Sequence, residues 1–205
     1  MTLHRRDVVH KLLAERGNTL VVAGLGASAW DVAATAAAGD DDRNFYLWGA
    51  MGGAAMVGLG LALAQPLRRV LVITGDGELL MGLGSLATVA LQRPPNLAIV
   101  ALDNGRYGET GMQPSHTAGP TRLAAVASAC GIAATYNIET DADLNGLVRA
   151  LAAQTDLIFA RVAIVPEELP RVLPERDGEK LKARFRAAIG VPGRGQGTDS
   201  SADDC

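Results

Sequence analysis

Two polar, glycine-containing loops each follow an apolar stretch and carry the side chains best suited to chemistry. The first loop is residues 75–78, with the sequence GDGE, and the second is residues 103–108, with the sequence DNGRYG. The glycines that flank Asp76 allow a tight turn and a close approach of the backbone to a ligand. A helix that begins beyond this turn would offer free N–H groups to an anion. The first loop therefore indicates an anion-binding site.

Asp76 and Asn104 contribute one carboxylate and one amide oxygen. These two groups are too few for a closed metal cage, but they suit Mg²⁺, which binds few protein ligands and completes its octahedron with phosphate and water. The pair thus predicts a magnesium diphosphate site. The residue types alone leave a second interpretation open, because an ordinary strand-to-helix turn capped by Asp has the same sequence.

Alternating strands and helices must position these loops. Continuous apolar runs predict buried parallel strands at residues 70–74 and 96–102, directly before the two loops. The alternation predicts an α/β fold, a single three-layer domain with a mostly parallel sheet, whose ligands bind at the carboxyl ends of the strands. Further strands are predicted at 19–23, 45–47, 133–136 and 157–164, and helices at 3–15, 28–38, 52–64, 86–91, 121–130 and 142–152.

The length of 205 residues favours one domain with an extension. We expect a ligand-binding domain at residues 1–170, a charged extension at 171–189 that can form a helix, and a disordered tail at 190–205, which is rich in Gly, Ser and Asp. The chain has a net charge of −3 and no cluster of Lys and Arg interleaved with aromatic residues, which argues against nucleic-acid binding.

Membrane insertion and secretion are also not expected. The longest apolar run, residues 50–64, contains four glycines and is too short to span a bilayer. The N-terminus lacks the apolar core of a signal peptide. Cys130 and Cys205 make neither a disulfide framework nor a metal site. A cytoplasmic location is the simplest expectation.

Several motifs in the same order resemble those of thiamine diphosphate-dependent enzymes. The GDG turn at 75–77, followed just under thirty residues later by the Asp-Asn pair at 103–104, is similar to the cofactor signature of that family. Residues 45–52, with the sequence FYLWGAMG, resemble its aminopyrimidine-binding segment, and residues 107–114, YGETGMQP, resemble the loop that closes over the diphosphate. The similarity spans roughly residues 18–165 and is to decarboxylases of the sulfopyruvate and phosphonopyruvate type.

The resemblance implies a thiamine diphosphate-binding fold and a role for each motif. The side chains of Asp76 and Asn104 and the backbone carbonyl of Arg106 would bind Mg²⁺. The Gly49 carbonyl would accept a hydrogen bond from the aminopyrimidine, and Met51 would lie beneath the cofactor and enforce its bent shape. The residues expected to contact the cofactor are Gly49, Ala50, Met51, Gly75, Asp76, Gly77, Glu78, Leu79, Asn104, Arg106, Tyr107 and Gly108; of these, Gly77, Glu78 and Leu79 would hold phosphate oxygens through their N–H groups.

Two further residues are candidates for proton transfer. Glu109 falls within one position of an active-site glutamate of some pyruvate-type decarboxylases. His116 lies in the same glycine-rich loop and could relay a proton near neutral pH. Each also has a plain interpretation as a solvated loop residue, as Met51 has one as a core-filling side chain.

The resemblance also implies a partner. In the family, a glutamate on a second, pyrimidine-binding domain activates the cofactor. This chain has room for one domain, and neither Glu15 nor Glu78 lies in a context similar to that activating motif. We therefore expect a pyrimidine-binding partner subunit, in an α₂β₂ or larger assembly, that supplies the glutamate for decarboxylation of a 2-oxoacid. The small-residue helix at 52–64 could contribute to the contact.

Other functions stay open at this stage. The same half-module occurs in acetolactate synthase-like carboligases and in 2-oxoacid oxidoreductases, although the shortage of cysteines argues against an internal iron–sulfur cluster. A non-catalytic cofactor-binding homologue is a further alternative. A dinucleotide fingerprint at residues 24–26 lacks its third glycine, and no P-loop lysine motif is present.

Overall fold

A sheet of six parallel strands forms the centre of the computed structural model, which describes residues 2–37 and 39–191. The strand order is β2-β1-β3-β4-β8-β7, so the two strands that precede the polar loops are neighbours in the middle of the sheet. This architecture confirms the predicted α/β fold with a mostly parallel sheet. The strands are β1 (Leu20–Ala23), β2 (Asn44–Tyr46), β3 (Val70–Gly75), β4 (Leu97–Asp103), β7 (Ala134–Ile138) and β8 (Ile158–Ala163), and a separate antiparallel ribbon pairs β5 (Arg106–Tyr107) with β6 (Gln113–Pro114).

Helices cover both faces of the sheet. Alternate residues of β3 contribute to the two cores, because successive side chains of a strand point to opposite faces: Leu71 and Ile73 to one, Val70 and Val72 to the other. The helices are α1 (Arg5–Leu13), α2 (Ala27–Thr35), α3 (Ala54–Ala64), α4 (Asp76–Met81), α5 (Ser85–Gln92), α6 (Leu123–Ala129), α7 (Asp141–Ala152) and α8 (Gly178–Ala188). The first core packs against α1, α2 and α7, and the second against α3, α5 and α6.

The structure differs from the predicted elements mainly at the two polar loops. The expected tight turn at 75–77 is instead the start of α4, with Gly75 in extended conformation as its N-cap. The loop expected to be irregular contains the β5–β6 ribbon, which the Ser115 N–H closes by donating to the Gly105 carbonyl at 2.9 Å. Strands of two residues are too short to show a periodic pattern.

The extension folds back onto the domain. Residues 166–177, which we call the C-terminal strap, have no regular secondary structure and lead to α8. In α8 the Phe185 ring packs edge-on against Phe45 at 5.3 Å between centroids, and Arg184 donates to the Asn44 carbonyl at 3.1 Å. Residues 192–205, which include most of the tail predicted to be disordered, lie outside the described residues.

The strap is fastened along the carboxyl edge of the sheet. Glu167 accepts a hydrogen bond from His4 at 2.9 Å, and this contact raises the pKa of the imidazole. The Arg171 guanidinium lies over the Trp30 ring, 4.5 Å from its centroid, and the Trp48 indole N–H donates to the Glu175 carbonyl at 2.7 Å. Within the described ranges, no helix is long and apolar enough to cross a membrane.

A buried ion pair joins α1 to α2. Asp31 is fully buried, and its two oxygens accept from Arg5 Nη1 at 2.8 Å and from Arg6 Nε at 3.0 Å. Burial raises the pKa of the Asp31 carboxyl, and the two guanidinium groups oppose that effect. Loss of the carboxylate would leave Arg5 charged and almost completely buried, which is costly.

We therefore expect Asp31→Ala to lower the free energy of unfolding by about 3–5 kcal/mol, because an uncompensated charge remains in the interior. Urea denaturation followed by circular dichroism measures this change. Asp7→Ala, an exposed residue in the first turn of α1, is the matched control and should change stability by no more than about 0.5 kcal/mol. A decrease of less than about 1 kcal/mol in the free energy of unfolding of Asp31→Ala would contradict the view that this carboxylate compensates the buried charge of Arg5.

Candidate functional site

A cavity of about 260 Å³ opens at the carboxyl ends of β3 and β4. Its walls come from the two polar loops, the start of α2 and the C-terminal strap. A second cavity, of about 60 Å³, lies at the opposite edge of the sheet between α1 and α7 and is far from these loops. The residues proposed from the sequence that line the large cavity are Met51, Gly75, Asp76, Gly77, Glu78, Asn104, Arg106, Tyr107, Gly108 and Glu109.

Four of the proposed residues are not part of the cavity wall. Gly49 and Ala50 are exposed and precede Met51 in the turn at the rim. The Leu79 side chain is buried in the core below α4, and only its backbone was assigned to the cofactor. His116 is exposed and lies behind Tyr107, whose hydroxyl forms a 2.7 Å hydrogen bond with His116 Nδ1.

Asp76 is the first residue of α4 and is buried despite its charge. Its Oδ2 accepts a hydrogen bond from the Ser115 hydroxyl and lies 3.0 Å from the Thr117 hydroxyl, and the Gly77 N–H also contacts the carboxylate. Burial raises the pKa of Asp76, and these hydrogen bonds lower it again in part. The group is thus a carboxylate held rigidly at the end of β3.

A second buried carboxylate, which the sequence analysis did not select, lies beside it. Asp103 ends β4, and its Oδ2 accepts from Arg161 Nε of β8 at 2.6 Å. Its Oδ1 accepts from the Thr117 hydroxyl at 2.6 Å and from the Gly105 N–H at 3.0 Å. A hydroxyl has one proton to donate, and the shorter contact and the Ser115 bond to Asp76 favour donation from Thr117 to Asp103. The Thr117 hydroxyl thus lies between the two carboxylates and donates to Asp103.

Asn104 forms a local turn rather than a long-range contact. Its Oδ1 accepts from the Arg106 N–H at 2.8 Å, and Gly105 between them has a φ of +66°, which glycine adopts without strain. An amide oxygen has two lone pairs, so this hydrogen bond leaves one for a ligand. The turn also fixes the backbone of Arg106, whose carbonyl is the third predicted metal ligand.

These oxygens fit a magnesium ion better than a softer metal. Across residues 2–37 and 39–191, no three side chains of the types His, Cys, Asp or Glu are grouped so that they could hold a metal. A cation here must therefore use one carboxylate, an amide or backbone oxygen, and oxygens of its own ligands. Mg²⁺ bound to a diphosphate has these requirements.

The ribbon packs tightly over the start of α4. A Cβ atom built on Gly77 would lie 2.7 Å from Cδ1 of Tyr107, so only glycine leaves room for the ring. Glu109, exposed on the same loop, reaches across to α2, where a Cβ on Gly26 would lie 2.9 Å from its Oε1. The two glycines thus allow the loop to close one side of the cavity.

Several wall residues have no sequence signal that would have revealed them. Arg5 of α1 and Trp30 of α2 reach the cavity, as do Glu167, Glu168 and Arg171 of the strap. Ser115 and Thr117 lie in a loop without periodicity, and their contact with Asp76 depends on the ribbon. Asp103 alone could have been found, because it ends a predicted central strand next to Asn104.

Comparison with known proteins identifies the family. Residues 24–162 match the model of the family "Thiamine pyrophosphate enzyme, C-terminal TPP binding domain". The chain is 41% identical over 164 residues to phosphonopyruvate decarboxylase of Streptomyces viridochromogenes, a match covering 78% of this chain and 40% of that protein. It is 37% identical over 185 residues to sulfopyruvate decarboxylase subunit beta of Methanothermobacter thermautotrophicus, covering 90% and 95%.

Solved structures agree on the fold. Benzoylformate decarboxylase from Polynucleobacter necessarius superposes with a TM-score of 0.68 at 19% identity, over 83% of this chain and 34% of that one. A thiamin diphosphate-dependent enzyme from Mycobacterium smegmatis gives a TM-score of 0.67, covering 81% and 32%. The family model covers more than half of the chain, and the matched residues include both polar loops of the cavity wall. The chain belongs to the thiamine pyrophosphate enzyme family, as a C-terminal TPP-binding domain.

Proposed function

We propose that this chain is the thiamine diphosphate- and Mg²⁺-binding subunit of a 2-oxoacid decarboxylase of the sulfopyruvate or phosphonopyruvate type, and that a pyrimidine-binding partner completes it. The observation that carries the proposal is the meeting of Asp76 and Asn104 on one cavity wall, at the ends of neighbouring strands, in a chain of this family. The relatives named above act, by their names, on these two substrates.

The diphosphate end of the cofactor would lie against the start of α4. Asp76, the amide oxygen of Asn104 and the carbonyl of Arg106 would hold Mg²⁺, whose positive charge would stabilise the diphosphate. The N–H groups of Gly77, Glu78 and Leu79, at the start of α4, would donate to the same phosphate, that of Gly77 in place of its contact with the Asp76 carboxylate. Gly75, Tyr107 and Gly108 would contact the phosphate from either side.

The aminopyrimidine end would lie at the rim. There the Gly49 carbonyl would accept a hydrogen bond from the amino group, Ala50 would contact the ring, and Met51 would support the bend of the cofactor. When bound, the cofactor supplies an electron sink for the loss of CO₂ from the 2-oxoacid. The residues of this chain hold it in place and shield it from water.

Two residues are proposed for proton transfer. Glu109 lines the cavity, and its carboxylate can therefore reach a bound substrate directly. His116 does not line the cavity but is hydrogen-bonded to Tyr107, which does, so it would act through the tyrosine hydroxyl. Of the two, Glu109 is the residue we assign to contact the 2-oxoacid.

Support for a partner comes from the surface of α3 and from the relatives. Met56, Val57 and Leu63 of α3 are exposed, as is Met81 at the end of α4, which makes an apolar face beside the cavity rim. One relative of nearly the same length is named a subunit beta, and a longer relative extends well beyond the matched region. We infer an α₂β₂ or larger assembly with a cytoplasmic location.

The cofactor site is tested by calorimetry of thiamine diphosphate binding to the purified chain, with and without Mg²⁺. We expect binding that requires Mg²⁺ and that Asp76→Asn weakens at least about tenfold, because the charge on the metal ligand is lost while the side chain keeps its shape. Asp42→Asn, at an exposed site away from the cavity, should bind as the unchanged chain does. Equal affinity for thiamine diphosphate with and without Mg²⁺ would refute the proposed magnesium site.

The partner is tested by activity. The isolated chain loaded with cofactor should release no CO₂ from sulfopyruvate or phosphonopyruvate, and addition of its pyrimidine-binding subunit should restore release. Val57→Asp on α3 should prevent co-elution of the two subunits in gel filtration, because a charge would be buried at the contact. Ala142→Asp, exposed on α7 across the sheet, is the control. Full activity of the chain alone would exclude the two-subunit proposal.

A further inference from the structure

Glu78 is buried although it carries a charge, and its side chain does not serve the diphosphate end of the site. It is 5% exposed and lies in the first turn of α4, two residues after Asp76. Its Oε1 accepts hydrogen bonds from the N–H groups of Gly52 at 2.9 Å and Ala54 at 3.2 Å. Its Oε2 pairs with the Thr74 hydroxyl at the end of β3. The carboxylate thus joins two separate segments of the cavity wall.

The segment that it binds, residues 49–54, has an unusual backbone. Ala50 has a φ of +56° and Gly52 a φ of +88°, both in the left-handed region that side chains other than glycine rarely adopt. Gly52 also packs directly on the end of α4, where a Cβ on Gly82 would lie 2.0 Å from the Gly52 carbonyl oxygen. Such a conformation persists only where surrounding contacts enforce it.

Gly24 provides independent evidence that the fold accommodates the Glu78 carboxylate at this position. A Cβ on Gly24, at the end of β1, would lie 2.9 Å from Glu78 Oε2 and 3.2 Å from Thr74 Oγ1. The φ of Gly24 does not lie in the left-handed region, so its backbone conformation does not require glycine. The Glu78 carboxylate therefore occupies the space that a side chain at position 24 would need.

We propose that the Glu78 side chain is a positioning residue that fixes the 49–54 turn, and with it the Gly49 carbonyl and Met51, for the aminopyrimidine. This inference rests on the proposed function and assigns Glu78 a role beyond its backbone contact with phosphate. The first turn of α4 then serves both ends of the cofactor. Asp76 and the N–H groups hold the diphosphate, and Glu78 sets the distance and angle at which the turn meets the ring.

Two ligands distinguish the aminopyrimidine end of the site from the diphosphate end. Thiamine diphosphate needs both ends of the site, whereas inorganic pyrophosphate with Mg²⁺ needs only the diphosphate end. In Glu78→Ala we expect the affinity for thiamine diphosphate to fall about tenfold or more and that for pyrophosphate to change less than about twofold. Glu78→Gln should retain both affinities, because its amide oxygen still accepts from the turn and its NH₂ group still reaches Thr74. Glu15→Ala, an exposed glutamate away from the cavity, is the control.

A measurement without any ligand tests the same contact. Amide hydrogen exchange at Gly52 and Ala54 should quicken about tenfold or more in Glu78→Ala and stay slow in Glu78→Gln, while exchange in the buried strand β4 stays unchanged and shows that the fold is intact. If Glu78→Ala does not fold, Gly24→Ala decides instead. It displaces the carboxylate and should quicken the same two amides with the charge retained.

The outcomes distinguish the inference from the function on which it rests. Unchanged exchange at both amides, or equal weakening of both ligands in Glu78→Ala, would overturn the positioning role. Failure of the unaltered chain to bind either ligand with Mg²⁺ would instead refute the proposed function, and the exchange measurement would still report whether Glu78 fixes the turn.

Discussion

The in-register pairing of β3 with β4 at the centre of the sheet is the constraint on which the rest of the site depends. Gly75 lies opposite Leu102, so the residues that follow, Asp76 on one strand and Asp103 with Asn104 on the other, leave the sheet side by side. Parallel strands end at the same edge, and both strands are buried on both faces, which fixes their register. A shift of one position would turn every side chain of the strand to the opposite core and separate the pair.

That register brings several carboxylates into one small region, and each is stabilised differently. Asp76 accepts from the Ser115 hydroxyl, Asp103 forms an ion pair with Arg161, and Glu78 accepts from backbone N–H groups. Buried charges without such partners would be costly or would take up a proton. Burial indeed raises the pKa of both Asp76 and Glu78. The hydroxyl and N–H partners lower these values without adding positive charge, so the cavity wall stays able to attract a cation.

The sequence predicted what local and periodic patterns encode. The central strands, the order of helices and the position of Asp76 and Asn104 at the strand ends all follow from apolar runs and from turn residues. The strap does not, because its contacts pair single side chains far apart in sequence, such as Arg171 on Trp30. The two hydroxyls that reach Asp76 were missed for the same reason, since a serine and a threonine in an aperiodic loop have no distinguishing pattern before the ribbon closes.

The glycines show how far a sequence constrains a site without revealing its partners. Gly24 and Gly77 both lie in glycine-containing turns, yet each leaves space that a side chain from elsewhere in the chain occupies: Glu78 in one case and Tyr107 in the other. From the sequence, neither neighbour can be identified. In the structure, a neighbouring side chain occupies the space that a Cβ atom would need at each of the two positions. The close packing of α4 against β1, the ribbon and the 49–54 turn therefore depends on glycines that leave space for neighbouring side chains. A substitution at one of these glycines would act on the cavity by displacing the side chain that occupies this space.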